Sequence, residues 1–380
     1  MDLVAGRGYA AADRRAITHL DAVLVGAALL LAAIGIALIY SATHQSLVAQ
    51  GLDPGLYMKK QVGFLVIGAV VLVGAASFDY RFVKVYAGLI YVASLILLIL
   101  VRTPLGTTIK GSQRWFQLFG FQFAPSEVAK IALIAMLAAF LAELRRSDLS
   151  LQDVYRATVL AAIPALLVFL QPDLGTSIVT ASILGGILIV AGARTRHLAI
   201  LALTAVVLTF GAFQLGVIRE YQVARLTGFL DPANDPSRTG WNKQQAEIAI
   251  GSGGISGRGY LNGSQTNLDF VPEQHTDFIF TVVGEEFGFI GSIGVLVLFG
   301  VLIWRAFRIA LLSKDPFGAY VAAGIGSMFA LQTFVNIGMA IGIMPITGIP
   351  LPFVSYGGSS LLTNAAAVGL LLNIHMRRFN

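Results

Sequence analysis

Residues 270–280 read FVPEQHTDFIF, and the run continues TVVGEEFGFIGSIGVLVLFGVLIW to Trp304. A polar loop turns here into an apolar stretch long enough to cross a bilayer, since a spanning helix needs about 20 mostly apolar residues. Glu273, His275 and Asp277 sit at the turn, and Glu285 and Glu286 follow inside the apolar stretch. Ionisable groups at a membrane boundary are costly to hold there, so they read as functional candidates. The positive end of the new helix would help keep the Asp277 carboxylate ionised. A plain N-cap role for Thr276 or Asp277 is the structural alternative. Position 285 lies about 12 Å further along the same helix, a depth that capping does not explain.

The rest of the chain agrees with a membrane setting. Of 380 residues, 56% are hydrophobic and only 12% are charged, against about 25% charged in a soluble domain. The net charge of +6 comes without a Lys/Arg block of the kind that binds nucleic acid, and it is accounted for by the positive-inside rule. With no cysteine, disulfides, thiolate metal sites and catalytic thiols are excluded.

About ten segments qualify as spanning helices: 20–41, 60–78, 82–102, 126–144, 154–171, 174–192, 197–218, 278–304, 318–342 and 357–376. The turns after even-numbered segments, with both ends of the chain, hold Arg7, Arg14, Arg15, Arg81, Lys84, Arg145, Arg146, Arg156, Arg194, Arg196, Arg305, Arg308, Lys314, Arg377 and Arg378. These short basic stretches should face the cytoplasm. Both termini are then inside, with 1–19 as a cytoplasmic tail rather than a removed signal peptide, and 377–380 as a cytoplasmic C-terminus. Residues 20–376 form one all-α integral membrane domain. Its long extracytoplasmic loop, 219–277, lies between helices 7 and 8. The glycines and prolines of that loop argue for turns and close backbone approach rather than a separate domain, with an amphipathic helix over Trp241–Ile250. Shorter external loops cover 103–125 and 345–360.

Four further constellations fall on the same outer side. Glu127 and Lys130 are three apart, hence neighbours on one helical face, and Lys130 needs a partner or a watery cavity in its apolar surroundings. They form either a structural ion pair or the lining of an anion-binding cavity. In the loop GSQRWF, Arg114 could grip phosphate, while Trp115 could stack on a sugar or belong to the interfacial aromatic belt. Asp173, in QPDLGT, is the natural N-cap of the next helix and could also face a cavity. Ser355, Gly357, Gly358 and Ser359, in SYGGSS, precede the last helix, where exposed amides could bind an anion or simply start the helix. The glycine-rich runs match neither a P-loop nor a dinucleotide fingerprint. One polar site opening outward and toward lipid is the reading these positions share.

FVPEQHTDFIFTVVGEEFG, GSQRWF, PSEVAK, QPDLGT and MPITGIPLPFVSYGGSS together resemble the SEDS family (shape, elongation, division and sporulation proteins) from the first helix to the last. The stretch NKQQAEIAIGSGGISGRG with GSQTNLDFVPEQHTDF is similar to the family's elongation branch more than to its division branch. The resemblance implies a peptidoglycan glycosyltransferase in the bacterial cytoplasmic membrane, polymerising the lipid-linked disaccharide-pentapeptide, lipid II, on the outer face. It implies work on nascent glycan beside a class B penicillin-binding protein. Asp277 matches the family's essential aspartate, Trp115 its tryptophan motif, and Glu127 with Lys130 its fourth-helix charged pair. His275, Glu285, Arg114, Asp173 and the 355–359 positions are expected to contact substrate. A divalent cation, Mg²⁺ or Mn²⁺, with Asp277 as ligand is plausible chemistry, and no organic cofactor is expected. A lipid II flippase, a division or sporulation member of the family, and a non-catalytic scaffold packing through small residues such as Gly284 and Gly288 are the alternatives.

Overall fold

The computed structural model describes residues 20–109, 112–118, 121–144, 148–214, 229, 238–268 and 270–378. The expected tail 1–19, Arg145, Arg146 and the loop positions 219–228 and 230–237 lie outside the described residues. The apolar segments are helices: α1 (Ala22–Ala49), α2 (Leu56–Ser77), α3 (Tyr80–Leu100), α4 (Pro125–Glu143), α5 (Leu151–Phe169), α6 (Leu174–Val190) and α7 (Thr195–Gln214). After the long loop, with α8 (Arg238–Ser252) and α9 (Ser264–Asn267), come α10 (Ile279–Leu312), α11 (Pro316–Ala340) and α12 (Gly358–Arg377). Among the described residues eight helices are long and apolar enough to cross a membrane, and α6 and α7 are shorter apolar helices. The chain is therefore a multi-pass, all-α membrane protein, as its composition required.

Helix ends are set by local chemistry. Asp21 caps α1 by accepting from Leu24 N at 3.1 Å, and Ser150 with Asp153 forms a capping box on α5. Prolines open α4 and α11, where their missing N–H has no intrahelical role. Helices α4, α11 and α12 are mostly buried, whereas α2 and α3 turn Val66, Val70 and Leu89 outward. Such an apolar exterior suits lipid.

Three features depart from the sequence reading. The loop 103–125 carries a small antiparallel sheet, β1 (Thr107–Ile109), β2 (Ser112–Leu118) and β3 (Phe121–Phe123), in the order β1-β2-β3. Windows of spanning length saw only a polar break there, although the alternating polar and aromatic residues of SQRWFQL suit strands. Within the segment 341–357, residues 347–355 are tucked into the bundle, with Ile349, Leu351 and Val354 buried, while Ile341 and Ile343 stay exposed. Gly35 on α1 makes room for it, since a Cβ there would stand 2.7 Å from the Phe353 carbonyl oxygen. Non-helical backbone at this depth survives only when protein satisfies it, and Ser355 Oγ accepts from Leu351 N at 2.9 Å.

The third departure is in α10, which is broken at Gly288 (φ +63°). Residues 254–259 of the long loop enter the break. Arg258 N donates to Glu285 O at 3.0 Å and Gly259 N to Glu286 O at 2.9 Å, while Phe289 N donates to Gly254 O at 2.9 Å. The loop thus replaces hydrogen bonds that the helix gives up.

Candidate functional site

Asp277 lies in a tight turn ahead of α10. Glu273, in the left-handed region at φ +57°, offers its carbonyl to the N–H groups of Thr276, Asp277 and Phe278 at 3.2, 3.0 and 3.3 Å. The N-cap position of α10 falls on Phe278, with no side-chain cap there, one residue after Asp277. The Asp277 carbonyl accepts from Asn336 Nδ2 at 2.8 Å, and the same amide donates to Ile349 O at 2.7 Å. A Cβ at Gly348 would lie 3.4 Å from Asp277 Oδ2. The half-buried carboxylate therefore faces the re-entrant segment 341–357.

His275 ties the two segments again, its carbonyl accepting from Tyr356 N at 2.9 Å. The rings of Tyr57, His275 and Tyr356 cluster with centroids 5.0, 5.1 and 5.7 Å apart. Gln61 of α2 pairs with the same segment, donating to Ser355 O at 3.3 Å and accepting from Gly357 N at 3.3 Å.

These contacts narrow the expected anion cradle. The amides of Ser355, Tyr356 and Gly357 are already taken by Leu351 O, His275 O and Gln61. The first turn of α12, from Gly358, has no side-chain cap, and it is the part left to meet an anion. Ser359 Oγ donates to Gln122 O at 2.9 Å and accepts from Ala124 N at 3.0 Å, joining α12 to the start of α4. Gly358 packs against Phe64 and Phe121.

The expected pair on α4 forms. Lys130 Nζ lies 2.9 Å from both Glu127 carboxylate oxygens, with both residues buried. Arg114 Nη1 stands 3.4 Å from Asp173 Oδ2, and its guanidinium lies 4.5 Å from the Trp115 ring. Asp173 also caps α6, accepting from Thr176 N and Oγ1 at 3.0 Å each. By connectivity, the starts of α2, α4, α6, α10 and α12 share one end of the bundle. Asp277, Arg114, Trp115, Glu127, Lys130, Asp173, His275 and the 355–359 residues all lie at that end.

Glu285 departs from the expectation of substrate contact. It is fully buried. Its carboxylate accepts from Ser264 Oγ at 3.3 Å, Gln265 N at 2.8 Å, Thr266 N at 3.0 Å and Thr266 Oγ1 at 2.8 Å. Depth along α10 rules out capping of α10 itself. The residue does cap, but it caps α9, which the loop folds down to it. Glu286 similarly holds Ser41 of α1 and Leu261 N.

Sequence reasoning missed Asn336, Gln61 and Gln274. Each is a buried amide in or beside an apolar helix, and the criterion that singled out Lys130 would have found them. Among the described residues no group of three or more His, Asp or Glu is placed to hold a metal ion. Asp277 suits a single carboxylate contact to a cation otherwise held by phosphate and water, the usual habit of Mg²⁺.

The FtsW, RodA and SpoVE family model, described as cell cycle protein, matches residues 21–380. Stage V sporulation protein E of Bacillus subtilis strain 168 is 39% identical over 359 residues, covering 94% of this chain and 97% of that protein. Peptidoglycan glycosyltransferase MrdB of Escherichia coli K12 is 40% identical over 335 residues, covering 87% and 88%. A chain in a solved peptidoglycan synthase complex, described for its structural coordination of polymerization and crosslinking, superposes with a TM-score of 0.80 at 32% identity, covering 95% of this chain and 99% of that one.

Proposed function

The chain belongs to the FtsW, RodA and SpoVE family of cell cycle proteins, and from that premise we propose that it is a peptidoglycan glycosyltransferase with Asp277 as general base. The observation that carries this reading is the placement of the Asp277 carboxylate. It is half-buried, faces Gly348, and is held through its own backbone between α11 and the re-entrant segment.

The substrate is lipid II, and the chemistry is displacement at a sugar carbon. The 4-hydroxyl of the acceptor sugar attacks the anomeric carbon of the donor. The new carbon–oxygen bond forms as the bond to the lipid pyrophosphate breaks, and Asp277 takes the hydroxyl proton. A positioned base of this kind is worth about 10²–10⁴-fold. The leaving pyrophosphate needs positive charge or aligned dipoles. The uncapped first turn of α12 can meet that need, as can Arg114 and Lys130, although each cation already faces a carboxylate. If a divalent cation binds, Asp277 is the residue that would hold it, and the ion would supply Lewis-acid stabilisation of the leaving group.

The outer face of the cytoplasmic membrane follows from the charge asymmetry of the two bundle ends. The elongation role rests on the loop motif at 242–278, and the relatives support the family more than the branch. A class B penicillin-binding protein is the proposed partner, supported by the likeness to a chain of a synthase complex. Purified protein incubated with lipid II should yield glycan polymer. Transport of the lipid across vesicles without polymer would replace this reading with that of a flippase.

A further inference from the structure

Glu285 sits on α10 far from the turn that carries Asp277, yet a continuous set of buried hydrogen bonds leads from one to the other. Thr266 Oγ1 donates to Glu285 Oε2 at 2.8 Å and accepts from Gln274 Nε2 at 3.1 Å. The second hydrogen of the Gln274 amide goes to Thr281 Oγ1 at 3.1 Å, and that hydroxyl donates to Phe278 O at 2.7 Å. Gln274 and Phe278 bracket Asp277 in the chain, so the set grips the turn on both sides. Glu285 and Thr281 are 0% exposed, Gln274 2% and Thr266 3%.

We infer that Glu285 is a positioning residue for Asp277, acting through Thr266 and Gln274, an inference that rests on Asp277 being the base. The reasoning is directional. Each Glu285 carboxylate oxygen accepts a backbone N–H, Oε1 from Gln265 and Oε2 from Thr266, and with the carboxylate oxygens acting as acceptors the Thr266 hydroxyl points toward Oε2. That leaves the lone pairs of Thr266 to accept from the Gln274 amide. The amide nitrogen only donates, so Thr281 accepts its second hydrogen and turns its own hydroxyl to Phe278 O, and the carboxylate fixes the direction at Thr266. Replacing the carboxylate by an amide adds a donor at that end and lets Thr266 reverse. Gln274 then loses one of its two acceptors at a buried position, where an unmet donor is costly. The turn that it anchors is the one whose Glu273 carbonyl binds the Asp277 N–H at 3.0 Å. A displacement of the base by about 1 Å can cost about 10²-fold in rate.

Glu286, the next residue on α10, provides the contrast. It is equally buried and also holds the loop, but it does so through Ser41 of α1 and Leu261 N, outside the set that grips the 273–278 turn. Loss of Glu286 should loosen the loop without moving Asp277.

The test uses the full-length purified protein, with lipid II as substrate and initial rates measured across concentration. Glu285→Gln and Thr266→Val are expected to lower kcat by about 10- to 100-fold while KM stays near that of the unchanged protein. The double variant should be no slower than the slower single, because both cut the same chain. Thr266→Ser keeps the hydroxyl and should keep kcat. Glu286→Gln should lower the melting temperature and leave kcat unchanged.

Normal kcat in Glu285→Gln, alongside an inactive Asp277→Asn, would overturn the positioning role and leave the base assignment standing. So would multiplicative losses in the double variant, or a Thr266→Ser protein as slow as Thr266→Val. An active Asp277→Asn would remove both readings together. Should Glu285→Gln fail to fold, the contrast between Thr266→Val and Thr266→Ser decides the matter alone.

Discussion

At Asp277 the backbone and the side chain have separate tasks. The carbonyl is anchored by Asn336 at 2.8 Å, while the carboxylate faces Gly348 of the re-entrant segment. Asp277→Asn keeps shape and anchor and removes the base, so polymer formation should fall by at least about 10²-fold with membrane abundance unchanged. Gel analysis of polymer from the purified variant checks this, and near-normal polymer would exclude the mechanism. Lys130 and Glu127 make a different kind of prediction. With both groups buried, removing one strands the other at a cost of about 3–5 kcal/mol, read as lost abundance. The swapped double, Glu127→Lys with Lys130→Glu, should regain abundance. If Lys130 meets the substrate's phosphates, the swapped protein stays inactive, and full activity in it would rule that contact out. The i,i+3 spacing made this pair legible in the sequence, because both partners lie on one turn of helix.

Helix α10 owes its shape to a short exchange of backbone partners. At Gly288 the conformation is left-handed, and a Cβ would stand 2.4 Å from Gly257 N. A side chain at this position meets both a forbidden backbone region and the inserted loop. Gly288→Val is expected to lower stability by at least about 1–3 kcal/mol, seen as an earlier melting transition in detergent, together with reduced polymerisation as the loop loses its seat. A melting temperature equal to that of the unchanged protein would mean that the loop does not depend on the break. The sequence marks the apolar length of α10 without marking the break, since glycines are common in spanning helices. The β1-β2-β3 sheet was hidden for a related reason: windows of spanning length average out a strand of a few residues.

The two ends of the bundle differ in kind. One carries Asp277 and the other polar candidates. The other is fastened by ion pairs between basic residues and helix-capping or loop carboxylates, with Arg305 on Asp21, Arg377 on Asp79 at 3.4 Å and Arg194 on Asp148 at 2.9 Å. The positive-inside rule assigns the second end to the cytoplasm. Because the chain has no cysteine, single replacements give a clean test at the exposed positions Gln50 and Thr108, on the Asp277 end, and Asp148 and Lys314, on the other. Gly263 is unsuited to such a probe, since a Cβ there would lie 2.8 Å from Glu285 Oε2. A membrane-impermeant thiol reagent on intact cells should label the first two and spare the others. The reverse pattern would put Asp277 on the wrong side for wall synthesis.

By itself, the sequence determined the membrane class, the apolar helices, the turn holding Asp277 and the Glu127–Lys130 pair. Each of these is a property of a contiguous window, where length, period or spacing is enough. Tertiary structure alone decided that Glu285 caps α9, that Glu286 reaches Ser41 of α1, that residues 347–355 fold inward, and that Asn336 holds the Asp277 carbonyl. Those outcomes depend on which distant backbone comes alongside a buried polar group. Burial obliges such a group to find a partner, but nothing local in the chain specifies which one.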